Sequence, residues 1–205
     1  MPTTVLRRGL LAGVAVTATL VLSACGGDSP SDSGMNHGGT TPATSAAPAS
    51  ANATFNDADV TFAQMMIPHH QQAVEMAALA DGRAANTEVK DLAAKIRAAQ
   101  QPEIDTMNQW LTAWGKPTAA PDMGHGTSTH GMMSDADLAK IMDAKGATFD
   151  KQFLTMMIAH HEGAITMADD ETATGASADA KALAAKIIAD QQAEITTMQG
   201  LLGKL

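Results

Sequence analysis

The sequence predicts an all-α fold made of two copies of one helical hairpin, preceded by a flexible N-terminal tether. Three observations support this prediction. The 205 residues include 14 Met but only four Phe, two Trp and no Tyr, whereas sheets are enriched in aromatic and β-branched residues. One segment of the chain occurs twice, and the apolar residues of each copy recur at helical spacing.

The first 24 residues have the features of an export signal. Arg7 and Arg8 precede an uncharged run over residues 10–22, which is too short to span a bilayer. The run ends in Leu-Ser-Ala-Cys, which resembles a bacterial lipobox and contains the single cysteine, Cys25. We therefore expect residues 1–24 to be removed and Cys25 to be lipidated. The alternative is an ordinary signal peptide with an incidental cysteine, and Sec or twin-Arg export both stay open.

Residues 25–53 are predicted to be the lipidated cysteine and a flexible linker, because Gly, Ser, Thr, Ala and Pro dominate them. Loss of the signal removes two of the 13 basic residues, so 11 basic against 22 acidic residues leave a net charge of −11. This acidic balance argues against a nucleic-acid partner, which requires a basic face. We expect the protein to lie on the outer face of the cytoplasmic membrane.

The remainder of the chain contains an internal duplication. The segment MMIPHH at 65–70 recurs as MMIAHH at 156–161, an offset of 91 residues. Between residues 59–111 and 150–202, 25 of 53 positions are identical without a gap. Each copy therefore represents one structural unit that occurs twice.

Each unit is predicted to be a helical hairpin, with breaks near residues 81–86 and 174–177. Asn56 or Asp57 is the expected N-cap of the first helix, and Ser134 that of a short helix at 135–142. We divide the chain into a first hairpin at 54–114, a connection at 115–134, and a short helix with the second hairpin at 135–205. Residues 54–205 are expected to form one domain, because two such hairpins make a four-helix bundle.

In a hairpin of two antiparallel helices, residue numbers rise along one helix and fall along the other. The numbers of two facing residues therefore add up to the same sum at every level of the hairpin. His69 with Glu103 and Met65 with Met107 share one sum in the first copy, and their counterparts share one sum in the second. We therefore predict that His69 faces Glu103 and that His160 faces Glu194.

The repeated Met-Met-x-x-His-His motif predicts copper ligands. Residues four apart lie on one helical face, soft thioethers select Cu(I), and imidazole accepts both copper oxidation states. Core packing is the alternative role for each Met, and a hydrogen-bonded core position is the alternative for each His. Copper affinity is expected to fall as the pH drops through about 6.5, since imidazole binds metal when neutral. The candidate ligands are Met65, Met66, His69, His70, Met76, Met107, Met156, Met157, His160, His161, Met167 and Met198.

Two further groups of residues are candidates for the same chemistry. Glu103 and Glu194 are expected to accept the second ring N–H of His69 or His160 and to fix its tautomer; an ion pair unrelated to metal is the alternative. The connection at 115–134 has a composition typical of metal capture, although a plain linker remains the alternative. Its possible additional ligands are Met123, His125, His130, Met132 and Met133.

The duplicated segments MMIPHHQQAVEMA and MMIAHHEGAITMA resemble the bacterial exported domain-of-unknown-function 305 (DUF305) family, over roughly residues 54–204. The resemblance implies a ferritin-like four-helix domain and no established catalytic reaction. It also implies copper binding and copper tolerance through Met and His, as in CopM-like copper-binding proteins. It carries over to the motif residues Met65, Met66, His69, His70 and Met76 and to their second-copy counterparts.

These observations predict an exported, lipid-anchored protein that sequesters or buffers copper through Met/His clusters and is not an enzyme. Its expected partners are copper ions and, through Cys25, the membrane. One alternative is a ferritin-like di-iron oxidoreductase, but no Glu lies three residues before any motif His. The other alternative is an envelope interaction module without metal. Stoichiometry, copper oxidation state, oligomeric state, and storage versus transfer stay open.

Overall fold

The computed structural model describes residues 54–118 and 129–205, which are mainly helical and contain no strand. The all-α class is therefore confirmed for this part of the chain. No helix in it is long and apolar enough to cross a membrane. Residues 1–53, with the predicted signal and Cys25, and the predicted ligands Met123 and His125 lie outside the described residues. The long helices are α1 (Asp57–Ala78), α3 (Thr87–Ala113), α5 (Gly146–Thr174) and α6 (Ala178–Leu202), and the short ones are α2 (Ala80–Arg83), α4 (Asp135–Asp143) and a 3-10 turn (Thr129–Gly131).

Four helices, α1, α3, α4 and α6, begin at a residue whose side chain accepts from the backbone of the first turn, whereas α5 begins without such a cap. Asn56 accepts from two backbone N–H groups of the first turn of α1, and Asp59 completes a capping box. Ser134 caps α4 as predicted, and Ser177 caps α6. The breaks between helices fall where Gly, Asn and Ser interrupt the apolar pattern.

The core consists of two apolar clusters that lie on either side of a buried polar layer. α1 packs against α3, α5 packs against α6, and α1 also contacts α5. One cluster joins the end of α1 and the start of α3 to the start of α5 and the end of α6. The other joins the opposite halves of the same helices. The polar layer between them contains His69, His70, Gln100, Glu103, His160, His161 and Gln191.

Two aspartates that are counterparts in the duplication link the hairpins to each other. Asp59, at the start of α1, accepts from the backbone N–H groups of Ala176 (3.1 Å) and Ser177 (2.9 Å) in the turn before α6. Asp150, in α5, accepts from those of Ala85 (3.2 Å) and Asn86 (2.9 Å) before α3. These crossed contacts satisfy buried backbone donors and relate the two hairpins by an approximate two-fold symmetry.

Candidate metal centre

The four motif histidines come together in the polar layer, and each is at most 1% exposed. His69 of α1 and His160 of α5 are counterparts, and their rings lie 3.7 Å apart between centroids with a tilt of 38°. The close approach of these two imidazoles is made at the contact between the two hairpins. The histidines of both copies of the motif therefore lie together in the polar layer.

The other two histidines pair with glutamates of their own hairpins. The Nε2–H of His70 donates to Oε2 of Glu103 at 2.9 Å, and that of His161 donates to Oε2 of Glu194 at 2.7 Å. Lys186 of α6 also donates to Glu103, at 3.0 Å. The glutamates therefore fix histidine tautomers, but on the second histidine of each motif.

The predicted pairing of His69 with Glu103 and of His160 with Glu194 is thus wrong by one residue. A constant sum of residue numbers gives the level at which two helices face each other, but it does not give their rotation. Consecutive residues on a helix point about 100° apart. His70 and His161 point to the partner helix of their hairpin, whereas His69 and His160 point to the other hairpin.

The polar layer contains imidazole nitrogens without hydrogen-bond partners. Nδ1 of His69, His70 and His161 is buried and unpartnered, as are both ring nitrogens of His160. Where Nε2 donates its hydrogen, Nδ1 of the neutral ring carries a free lone pair. Buried polar atoms normally have hydrogen-bond partners. A neutral imidazole nitrogen with a free lone pair can bind a metal ion instead.

Burial favours the neutral form of His69, His70 and His160 by lowering the pKa of each. It lowers the pKa of His69 to about 3, and it holds the pKa of His160 well below the usual value of 6.5. Burial also lowers the pKa of His70, although Glu103 acts in the opposite direction. Protons therefore compete for the ring nitrogens of His69, His70 and His160 only at a pH below 6.5. The pH at which copper affinity is expected to fall is lower for these three residues than the sequence predicts.

The predicted Met ligands lie in the apolar clusters that flank the polar layer. Most are buried, whereas Met65 and Met156 are half-buried at the cluster edges. Among the described residues, no three His, Cys, Asp or Glu side chains are gathered so as to hold one metal ion. The buried Met residues are Met66, Met76, Met107, Met157, Met167 and Met198.

Part of the predicted connection docks onto the helices beside the polar layer. In this segment, residues 130–133, called the strap below, His130 accepts through its carbonyl from the Nε2–H of His69 at 2.9 Å. The side chain of Gln72 donates to the carbonyl of Met133 (3.0 Å) and accepts from its N–H (2.7 Å). Met132 and Met133 are half-buried.

One position at which the two copies differ allows the strap to dock. Gln72 provides the clamp in α1, and its counterpart in α5 is Gly163, where a Cβ would lie 1.6 Å from the carbonyl oxygen of His130. The strap therefore approaches α5 through a gap that only glycine leaves. These contacts were not predicted from the sequence. The available signal was the replacement of Gln72 by glycine at the corresponding position, 163, of the second copy.

Comparisons with known proteins agree with this architecture. The family described as domain of unknown function (DUF305) matches residues 59–202. A DUF305 protein from Streptomyces coelicolor, described as a candidate secreted protein, is 33% identical, with a TM-score of 0.67 and coverage of 72% of this chain and 93% of that chain. A DUF305 fragment from Deinococcus radiodurans is 33% identical, with a TM-score of 0.68 and coverage of 73% and 98%.

A third similar structure is CopM in a Cu(I)-bound form. It is 32% identical, with a TM-score of 0.61 and coverage of 71% of this chain and 96% of that chain. CopM structures in Cu(II)-bound and Ag-bound forms are also similar to the chain. A comparison with curated proteins gave no match.

Proposed function

The chain belongs to the DUF305 family, and from that premise we propose that it binds copper at the buried polar layer and sequesters or buffers it outside the cytoplasm. The observation that carries this proposal is the set of buried, unpartnered imidazole nitrogens in both copies of the motif. An unsatisfied buried polar group costs about 1–3 kcal/mol. A metal ion bound to these nitrogens would offset that cost.

The chemistry of the donors favours Cu(I). Imidazole accepts copper in both oxidation states, and thioethers select the soft monovalent ion. By helical spacing, the buried Met66 shares a face with His70, and the buried Met157 shares one with His161. Because Glu103 and Glu194 are already bonded to histidines, we assign them as positioning residues rather than ligands. CopM has been crystallised with Cu(I), Cu(II) and Ag, which supports a soft-metal site in a related protein.

The proposed framework for this site is a ferritin-like four-helix bundle. Contacts of α1 with α3, of α5 with α6, of α1 with α5 and of α3 with α6 support this assignment. In it the polar layer crosses the centre of the bundle, where helical-bundle proteins build their metal sites.

We also propose that the protein is exported and anchored by a lipid on Cys25. The lipobox-like Leu-Ser-Ala-Cys supports the anchor, and the S. coelicolor relative, described as a candidate secreted protein, supports export. A fatty-acid analogue fed to cells should label the wild-type protein and leave the Cys25→Ala variant unlabelled. Equal labelling of the two proteins would remove the anchor from the proposal.

An anaerobic Cu(I) competition titration tests the copper proposal. The variant in which His69, His70, His160 and His161 are replaced by Gln should lose the tightest Cu(I) sites. Gln suits this test because its amide N–H can replace the Nε2–H that His70 and His161 donate to glutamate, while the Nδ1 lone pair is lost.

The matched control changes the predicted connection instead. Replacement of Met123, His125, His130, Met132 and Met133 should remove weaker sites and leave the tightest ones. Circular dichroism must show that both variants remain helical. If the folded four-His variant binds Cu(I) as tightly as the wild type, the histidines are core residues and the proposal fails.

A further inference from the structure

A groove of about 320 Å3 opens between the start of α1 and the end of α5, outside the polar layer. Met65 of α1, Met167 of α5 and His130 of the strap all line this groove. The exposed carboxylates of Asp57 and Asp170 lie around it as well, together with the buried Glu171. Two thioethers and one imidazole, from three separate elements, are therefore brought to one solvent-accessible space.

The backbone holds His130 firmly at this position. His130 adopts φ 59° and ψ 42°, and no other described non-glycine residue has a positive φ. Its carbonyl accepts from His69, and Gly163 leaves the space that this carbonyl occupies. A left-handed conformation is unfavourable for a residue with a Cβ, and such conformations concentrate at functional sites. The strap, with this strained backbone, thus brings His130 to the wall of the groove.

The duplication provides an internal comparison for the two methionines. Met156, the counterpart of Met65, packs against the apolar cluster that includes Ile141 of α4. Met76, the counterpart of Met167, is fully buried in the same cluster. Met156 and Met76 therefore belong to one apolar cluster, whereas Met65 and Met167 belong to the other and also line the groove.

The donor set determines which ions this groove suits. Among the described residues, the acidic side chains at the groove and His130 do not form a group of three that could hold one metal ion. The carboxylates alone therefore do not make a site for a hard divalent cation. Thioethers and imidazole suit a soft monovalent ion. The carboxylates raise the local concentration of cations without selecting among them.

We propose that Met65, Met167 and His130 form a second, outer site for Cu(I), separate from the polar layer and joined to it through the bond between His130 and His69. This inference rests on the proposed function in that copper is the cargo. It adds that copper is held at the protein surface by a site that takes one methionine from each copy and a histidine from the strap.

The test uses Ag(I), a soft monovalent ion that does not change oxidation state, and the purified protein labelled with 13C at the methionine methyl groups. We expect the methyl resonances of Met65 and Met167 to shift with Ag(I), and that of Met156 to stay in place. Zn(II) should shift neither groove methionine. If Ag(I) binds while Met65 and Met167 remain unshifted, the outer site does not exist.

Variants separate the outer site from the polar layer. The combination Met65→Leu, Met167→Leu and His130→Asn should lose one bound Ag(I) per chain in native mass spectrometry. Leu keeps the volume of Met, and Asn tolerates the left-handed backbone. The control Met76→Leu with Met156→Leu should keep the wild-type number of Ag(I) ions.

The four-His variant distinguishes this inference from the proposed function. It should retain the Ag(I)-dependent shifts of Met65 and Met167, because the outer site takes no ligand from those histidines and Gln at position 69 can still donate an N–H to the carbonyl of His130. Loss of these shifts in a folded four-His variant would show that the outer site is not separate. A wild-type protein that binds neither Cu(I) nor Ag(I) would refute the proposed function itself.

Discussion

Glu103 is the residue whose contacts matter most to the state of the polar layer. It accepts from His70 and from Lys186, which belongs to the other hairpin. Burial alone would raise the pKa of Glu103, but these two partners outweigh it and lower the pKa. The ionised carboxylate holds the hydrogen of His70 on Nε2 and leaves the lone pair on Nδ1.

Replacing Glu103 with Ala should lower the free energy of unfolding by about 1–3 kcal/mol, because a buried imidazole N–H is left without an acceptor. Glu103→Gln retains an amide oxygen that can accept from His70, and the loss should be smaller. Glu194→Ala should also cost less, since that side chain is 20% exposed and water can replace it. Urea unfolding of the three variants measures these differences; equal losses for Glu103→Ala and Glu103→Gln would contradict the account.

Glu171 introduces a pH dependence at the groove. Burial and the neighbouring Asp59 carboxylate raise the pKa of Glu171 from 4.5 to about 8. The folded protein therefore holds a proton that the unfolded chain releases between these values, so stability decreases as the pH rises from about 4.5 to about 8. Glu171→Gln imitates the protonated acid and should remove this decrease. Melting temperatures of both proteins across this pH range provide the check, and parallel curves would contradict the assignment.

At the scale of elements, the strap depends on a missing side chain in α5. Gly163→Ala would place a Cβ against the carbonyl of His130, so the strap must shift and weaken its bond to His69. We expect a loss of about 1–3 kcal/mol, as for overpacked cores. The matched control is Gly200→Ala in α6, where a Cβ meets nothing within 4 Å, and this change should stabilise the helix by about 0.5–1 kcal/mol. Stabilisation by both substitutions would show that the strap is not docked as described.

Local signals were sufficient to predict the long helices and the short helix after Ser134, because helix starts and ends depend on nearby residues; α2 (Ala80–Arg83), in contrast, overlaps the predicted break at 81–86. Asn56 and Ser134 act as N-caps where the sequence predicts them. The duplication also indicated which helices pair, because the same pattern of facing residues occurs in both copies. The contacts of α1 with α3 and of α5 with α6 agree with that pairing. The choice of His70 rather than His69 as the partner of Glu103 depends on helix rotation, which packing across the whole core determines.

Contacts that join distant segments had no local signal. The clamp between Gln72 and Met133 links residues 61 positions apart, and the crossed contacts of Asp59 and Asp150 link separate hairpins. The identity of Asp59 and Asp150 in the duplication marked them as alike, but it did not indicate what they bind.

The whole molecule carries a buried polar layer between two apolar clusters, and this arrangement makes its stability sensitive to acid. The folded pKa values of His69, His70 and His160 lie below the unfolded value of 6.5. The unfolded chain therefore binds more protons, and stability should decrease as the pH falls from about 6.5 towards 3.

Copper should counteract this loss, because a ligand that binds only the folded state raises its stability by mass action. Thermal unfolding between pH 7 and pH 4, with and without Cu(I), measures both effects. The four-His variant should show a flatter pH dependence and little response to Cu(I). A wild-type protein with no stability loss below pH 6.5 would contradict the neutral state of the buried imidazoles.

The most direct test of the central claim observes the histidine nitrogens themselves. Long-range 1H–15N spectra of the protein should show Nδ1 of His70 and His161 as free lone-pair nitrogens, with Nε2 protonated. Addition of Cu(I) should move these Nδ1 resonances strongly, while Nε2 stays protonated and bonded to Glu103 or Glu194. If Cu(I) saturates the protein and the Nδ1 resonances of all four motif histidines stay unchanged, the polar layer does not bind copper.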